Sequence, residues 1–517
     1  MHQFPALTLR RTFHVITLLL IVTASHIASV AQTPDAATID ALMQEALKSW
    51  NVPGASLAIV RGDEVIYLKG YGVKDLKTAQ PVTPDTIFAI GSTSKAFTTA
   101  AMAILVDDGK MNWDDPVRKH IPWFRLSDPL ANEFVTMRDI VCHRTGLSRN
   151  DLLWYASPWK GEEIIRKVGF VKLSRPFRST YQYQNIMFLT AGHAVGMISG
   201  GTWESFVEQR IFNPLGMKNS NFSATVAEKA ADHATPHRKN KEEKVELIPW
   251  RNIDNIGPAG SINSTARDLS AWARMQLNGG KFDGRQIIST ANLAETHTPQ
   301  MVVRMEPQAR AMNPDTTMMN YGLGWMIQDY RGRQIISHGG NIDGFTARIT
   351  LIPEAKIGII ILANLNGASM NTAASNNLTD LLLGLKQKDW NTILGEQVKK
   401  NEAEAKARLK EREDKRFKET KPSRELAAYT GSYEDPAYGT ATVALDQGAL
   451  VLEWSSFKLR LEHFHFDTFV VREGRLENEQ IVFTLGADGE VASMKLLETD
   501  FRKLKQPAKM TAGNGTR

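Results

Sequence analysis

One cysteine, Cys142, is all that the 517 residues contain. No disulfide can form within the chain, so the fold must rest on a core large enough to do without one. Cys142 lies between Val141 and His143 at what reads as a helix end, where a buried structural thiol is expected and a nucleophile is not. Long apolar runs are scarce too. Beyond residues 13–24 no stretch is long and apolar enough to span a bilayer. The formal charge is only +6, and the densest charge, over 399–421, alternates Lys and Arg with Glu. That is a solvated helix and not a nucleic-acid footprint, so no nucleic-acid partner is expected. Histidines are few and poorly spaced for a metal. His143 stands alone, Pro236 breaks any helix that His233 and His237 would need, and His463 and His465 alternate on a strand without further ligands. Neither a metal nor a cofactor is expected.

What is present starts with an export signal. Arg10 and Arg11 precede the short apolar run 13–24, and Ala28-Ser29-Val30-Ala31 offers small residues for cleavage before Gln32. The expectation is a signal peptide over 1–31 and a periplasmic or secreted protein with no membrane span after cleavage. The cleaved chain would carry about +4, having lost two arginines. The length predicts two domains. The spacing predicts a helix over 39–50, a hairpin over 54–72 with its turn at Arg61-Gly62-Asp63-Glu64, and a second hairpin over 347–364 turning at Pro353-Glu354-Ala355. Strands near both ends of a largely helical region predict an α+β domain, an antiparallel sheet flanked by helices, over 32–386. Helices follow over 373–385 and from Trp390 to about Arg416. The second is a connector within a 387–421 linker that Lys421-Pro422 closes. Over 422–506 the texture changes to seven or eight short alternating strands, which predicts an all-β barrel or sandwich. Residues 507–517 read as a disordered tail.

Amide or ester hydrolysis needs a nucleophile, a base and oxyanion donors. Ser-x-x-Lys can supply the first two, because i and i+3 share a helix face. The chain has three such patterns. Ser157-Pro158-Trp159-Lys160 reads as a helix start with Ser as N-cap. Ser455-Ser456-Phe457-Lys458 reads as strand, where i and i+3 face opposite sides. Ser92-Thr93-Ser94-Lys95 instead follows Gly91 and opens an apolar helix that ends at Gly109. Two later elements complete a constellation: Tyr183-Gln184-Asn185 before a helix, and His338-Gly339-Gly340 after a strand. Taken singly, Tyr183 reads equally as a rim aromatic, Asn185 as a helix cap and His338-Gly339-Gly340 as a turn.

In this order, Ser-x-x-Lys, Tyr-x-Asn and His-x-Gly resemble the class C type of serine β-lactamases, with their D-amino-acid peptidase and esterase relatives. Asn51-Val52-Pro53-Gly54, Val141-Cys142-His143-Arg144-Thr145-Gly146-Leu147, Pro258-Ala259-Gly260-Ser261-Ile262 and Tyr321-Gly322-Leu323-Gly324-Trp325 are similar to flanking text of that family. The resemblance covers roughly 38–386 and implies an α/β sandwich and an acyl-enzyme. By it, Ser92 is acylated while Lys95 and Tyr183 share its proton, the lysine favouring the phenolate. Asn185 binds the substrate amide, and His338 supports Tyr183 and a substrate carboxylate. Gly339 and Gly340 let substrate lie on the strand edge, and the N–H groups of Ser92 and Asn341 form the oxyanion hole. The Lys-Thr-Gly or Lys-Ser-Gly of most class C enzymes is absent. Histidine, with a pKa near 6.5, carries its charge only partly at pH 7, which argues against efficient β-lactam turnover.

The C-terminal segment resembles a small eight-stranded barrel fused to some of these hydrolases. The matching text is Leu426-Ala427-Ala428-Tyr429-Thr430-Gly431-Ser432-Tyr433, Tyr438-Gly439 and the run from Leu461 to Phe469. In that family the barrel is associated with assembly or with limiting access, which leaves a homo-oligomer through this domain open. The leading expectation is a serine hydrolase of peptides, amides or esters. A class C-type β-lactamase, and a penicillin-binding or scaffold protein with little turnover, are the alternatives.

Overall fold

A computed structural model describes residues 34–505. The expected signal peptide and C-terminal tail lie outside the described residues. Eight antiparallel strands form the first domain's sheet: β1 (Gly54–Arg61), β2 (Glu64–Gly72), β3 (Met301–Val302), β4 (Met319–Tyr321), β5 (Met326–Tyr330), β6 (Arg333–Ile342), β7 (Phe345–Ile352) and β8 (Ile357–Ala363), in the order β2-β1-β8-β7-β6-β5-β4-β3. β1 meets β8 in register from Ala55↔Ala363 to Arg61↔Ile357, so the two expected hairpins lie side by side.

Both faces of the sheet are covered, which is why β1 and β8 are apolar at nearly every position. Along β1, Ala58 and Val60 join one core while Ala55, Leu57 and Ile59 join the other. One face carries α1 (Ala36–Trp50) and α5 (Met370–Leu382), the other α2 (Ser94–Asp107), α3 (Asn185–Ser199) and α4 (Ala266–Leu277). α2 is buried from Ser94 to Leu105, its polar Ser94, Lys95, Thr98 and Thr99 included. Phe97 stacks on Trp272 of α4 with ring centroids 3.9 Å apart, and burying two such rings contributes several kcal/mol.

α6 (Trp390–Asp414) buries only Trp390 and Leu394. Its 25 residues reach about 37 Å at 1.5 Å per residue. It ends at Asp414, close to the expected end near Arg416, and Arg416 is taken by the barrel, donating to the carbonyls of Phe464 and His463. The barrel is closed by eight strands, β9 (Gly431–Asp435), β10 (Gly439–Asp446), β11 (Ala449–Trp454), β12 (Phe457–His465), β13 (Thr468–Val471), β14 (Gln480–Leu485), β15 (Val491–Leu496) and β16 (Thr499–Lys503). Pairing of Tyr433 with Lys503 joins β9 to β16, and closure leaves no edge to protect. The α+β sheet domain and the all-β barrel are thus both as the sequence indicates.

Two local readings need correction. Ser157 does not start a helix. Asn255 Nδ2 donates to the carbonyls of Trp154 and Trp159, holding the segment extended, and the helix begins at Gly161 with Glu162 and Glu163 in its first turn. Ser455 and Ser456 are not in a strand. They form the turn between β11 and β12, and both hydroxyls donate to the Ala156 carbonyl, docking the barrel on the first domain.

Candidate active site

The chain enters the site from Ile90 through a single 3-10 turn, Gly91–Thr93, that precedes α2. Gly91 has φ +51°, and a Cβ on it would lie 2.8 Å from Asn341 N, so only glycine fits there. From the other side, a Cβ on Gly340 would lie 1.8 Å from the Ile90 carbonyl oxygen and 3.1 Å from Ser92 N. These two glycines press the turn against β6 and bring the backbone nitrogens of Ser92 and Asn341 to the same spot. Gly339 points the other way, with Ala347 O at 3.8 Å as the nearest atom. His338-Gly339-Gly340 is therefore strand and not a turn. β5 pairs with β6 only as far as Ser337, so residues 338–342 have a partner on the β7 side alone.

Ser92 is part-exposed, while Lys95, one helical turn on, is fully buried. Lys95 Nζ reaches Ser92 Oγ at 3.0 Å, Asn185 Oδ1 at 2.8 Å and the Ala259 carbonyl at 2.7 Å. Burial pushes its pKa well below the usual lysine value, and the charge of Arg149 pushes the same way. Asn185, the first residue of α3, donates from Nδ2 to Asp151 Oδ1 at 2.9 Å, which turns its Oδ1 toward the lysine. Gln184 takes the cap role, its Oε1 accepting from Ile186 N–H. Two of the three Lys95 partners, the amide oxygen and the carbonyl, can only accept. A neutral Lys95 spends both its hydrogens on them, and its lone pair falls to Ser92 Oγ–H.

Tyr183 shares a hydrogen bond with Ser92, yet burial raises its pKa above the usual tyrosine value. Lys95 Nζ sits 4.8 Å from its ring centroid, over the face. The expected phenolate finds no support here: the lysine meets the ring, and desolvation, the largest influence, raises the phenol's pKa.

His338 departs from expectation as well. Its Nδ1 lies 2.7 Å from the Gly339 carbonyl, which can only accept, so the proton is on Nδ1. Nε2 then accepts from Tyr321 O–H at 3.0 Å. Burial, with Lys95 nearby, pushes its pKa down to about 3. A neutral imidazole with both nitrogens engaged offers a substrate carboxylate neither charge nor donor. Its ring centroid is 6.4 Å from that of Tyr183, so support of Tyr183 is by packing. Asn185, expected on the substrate amide, is bonded to Lys95 and Asp151 and keeps one Nδ2 hydrogen.

Four residues at the centre have no role in the motif reading. Asp151 orients Asn185 and also accepts from Trp154 Nε1 at 2.8 Å. Tyr321 holds His338. His143 is buried with its ring 4.4 Å from that of Tyr183, its Nδ1 accepting from Gln184 N–H. The Arg149 guanidinium lies 5.0 Å from the Tyr183 ring centroid. His143 and Tyr321 sat inside segments the family text picks out, whereas nothing local marks Asp151 or Arg149. Cys142 is buried away from solvent, its thiol pushed up to about 12.

Comparison with known proteins bears on this geometry. Residues 39–382, more than half of the chain, match the family described as Beta-lactamase. The chain belongs to that family. Residues 415–509 match a domain of unknown function, DUF3471. The unguisins hydrolase ungD' of Aspergillus campestris is 31% identical over 425 residues, covering 78% of this chain and 77% of its own. An octameric penicillin-binding protein homologue from Pyrococcus abyssi superposes with a TM-score of 0.60 at 23% identity, covering 91% of this chain and 100% of its own. A D-stereospecific amidohydrolase from Streptomyces sp. superposes with a TM-score of 0.54 at 21% identity, over 68% and 100%. At these identities the two structures speak for the fold alone. This is a β-lactamase-family domain with a barrel behind it, and members of the family are serine hydrolases.

Proposed function

We propose that the protein is an exported serine hydrolase that forms an acyl-enzyme on Ser92 and cleaves peptide, amide or ester bonds. The observation that carries this reading is the buried Lys95 amine 3.0 Å from Ser92 Oγ, with its other partners both acceptors. A lysine of lowered pKa is a base at neutral pH. Ser92 Oγ attacks the carbonyl carbon and its proton passes to Lys95 Nζ. The oxyanion forms against the N–H groups of Ser92 and Asn341, which the Gly91 and Gly340 contacts bring together. The bond to the leaving group breaks as that group takes a proton delivered from Lys95 through Tyr183 O–H. Water, deprotonated by the same pair, then attacks the ester and frees Ser92. Substrate lies along residues 338–342, where β6 has no neighbour on the β5 side. The leader-like 1–31 supports export.

A neutral His338 disfavours the β-lactamase alternative, since a β-lactam carboxylate would find no cation at residues 338–342 of β6. The test is the intact mass of the protein with a penicillin, alongside turnover of p-nitrophenyl acetate, for wild type and Ser92→Ala. The expected result is ester turnover by the wild type alone, with the penicillin left intact or held as a persistent adduct. Equal turnover by Ser92→Ala overturns the nucleophile, and rapid penicillin consumption makes the protein a β-lactamase.

A further inference from the structure

The Tyr183 side of the site carries an unspent cation. Arg149 sits in the loop between Leu147 and the turn Asp151–Leu153, with 58% of its side chain exposed. Its neighbours are fixed. The Ser148 carbonyl accepts from Gln184 Nε2 at 2.5 Å, and Asn150 Nδ2 donates to Tyr438 OH of the barrel at 2.9 Å. Asp151 anchors Arg149 by one contact only, Oδ2 accepting from Nε at 2.7 Å. The two terminal nitrogens have no partner among the described residues, and the guanidinium plane rests near the face of Tyr183, 5.0 Å from its centroid. The charge is felt throughout the centre: Arg149 is among the influences on Lys95, His143, Tyr181 and Tyr183. The other exposed arginines near the cleft, Arg251 and Arg475, both reach Asp343 and the ring of Tyr155.

The position of Arg149 relative to the reaction gives this cation its meaning. The oxyanion side of Ser92 is β6. The leaving group must depart toward the proton carried by Tyr183, and Arg149 lies over that ring. A carboxylate one or two bonds from the departing nitrogen, oxygen or sulfur atom comes within reach of the free terminal nitrogens, which match a carboxylate in a fork. We propose that Arg149 is the specificity-determining cation of this site, binding the free carboxylate of an amino-acid or hydroxy-acid leaving group. Substrates are then cut at their carboxyl end, and a blocked carboxyl is disfavoured. His338, held neutral by Tyr321 and Gly339, cannot take this part, so the charge has moved from the β6 wall to the Tyr183 wall.

The inference rests on the acyl-enzyme reading, and the test separates the two. Wild type, Arg149→Gln and Arg149→Lys are assayed on paired N-acetyl-D-alanyl thioesters whose leaving groups are thioglycolic acid and thioglycolamide, with thiol release as readout. The wild type should prefer the acid by about 10-fold in kcat/KM. Arg149→Gln should lose most of that preference, the acid-to-amide ratio of kcat/KM falling toward one beside any change that Lys95 imposes on both substrates alike, and Arg149→Lys should recover part of it. Equal turnover of both thioesters by the wild type, or a loss in Arg149→Gln that falls alike on acid and amide, overturns the role of Arg149 and leaves the hydrolase standing. Failure of the wild type on both thioesters removes the hydrolase reading and this inference with it.

Discussion

Buried tyrosines stand at the centre of both domains, and their surroundings differ. In the barrel, Tyr433 O–H donates to the Tyr429 carbonyl at 2.6 Å, while Tyr429 O–H donates to Asp467 and accepts from Arg424 N–H at 3.2 Å. Burial pushes Tyr429 up to about 12. In the hydrolase domain, burial raises Tyr183 and Tyr321 too, but the neighbours are Lys95, Ser92, two neutral histidines and Arg149. His143 Nε2 even lacks a partner among the described residues. Desolvation of a phenol is thus common to both domains and marks neither as a site. What separates them is a buried amine with no carboxylate bonded to it, an arrangement that costs stability and gains a base.

Removing that amine should give the largest effect. Lys95→Met keeps the stem and deletes the base, and acylation of Ser92 should fall by about 10²–10⁴-fold in stopped-flow assays with an activated ester. An unchanged far-UV circular dichroism spectrum would tie the loss to chemistry. Tyr183→Phe should fall in the same direction, whereas Tyr433→Phe, a phenol buried in the barrel, should leave kcat/KM untouched. Equal losses in the two phenylalanine variants would erase the contrast between the domains.

The paired glycines come next. A methyl on Gly340 meets the Ile90 carbonyl at 1.8 Å, a methyl on Gly339 meets nothing closer than 3.8 Å. Gly340→Ala should lose about 1–3 kcal/mol by overpacking and open the Ser92–Asn341 spot, while Gly339→Ala should stay near wild type in denaturant unfolding and turnover. A Gly340→Ala variant with full activity would show that the strand can retreat without harm to the oxyanion donors.

Histidine sharpens the comparison through pH. Burial pushes the His338 pKa from the ordinary histidine value of 6.5 down to about 3. Between those values the unfolded chain binds the proton and the folded one does not. The stability term is therefore fully present above pH 6.5 and is lost as pH falls toward 3. From pH 7 to pH 5 the wild type should lose roughly 2 kcal/mol more than His338→Gln in urea unfolding. Activity should show no break near pH 6.5 from His338. It should instead rise with pH through the lowered pKa of Lys95, because the neutral amine is the base.

How much of this was legible follows from range. Ser92 and Lys95 are one helical turn apart, so a short pattern carries their geometry. The hairpins over 54–72 and 347–364 show as alternation or apolar runs with turn residues between, and the eight barrel strands show as short repeats. The protonation states were not legible, because they depend on long-range packing. Asn185 is turned by Asp151, 34 residues earlier. The His338 tautomer is set by the Gly339 carbonyl, and its other nitrogen is taken by Tyr321 of β4, a strand that β5 separates from β6. The extended segment at Ser157 is held by Asn255, 101 positions from Trp154. Local patterns name a residue and its element, and they are silent on which lone pair is free.

The smallest effects are on stability, and they complete the contrast. Tyr433→Phe removes one buried hydroxyl and leaves the Tyr429 carbonyl without that donor, which should cost about 1 kcal/mol in thermal or urea unfolding. Tyr183→Phe should cost less, since the hydroxyl it deletes is shared with part-exposed Ser92, where water can replace it. Stability and activity should then respond in opposite order to one and the same substitution: the barrel variant loses stability and keeps its rate, the site variant loses rate and keeps its stability. If Tyr183→Phe instead unfolds first, Tyr183 is a core aromatic like Tyr433, and the proton path must run through Lys95 alone.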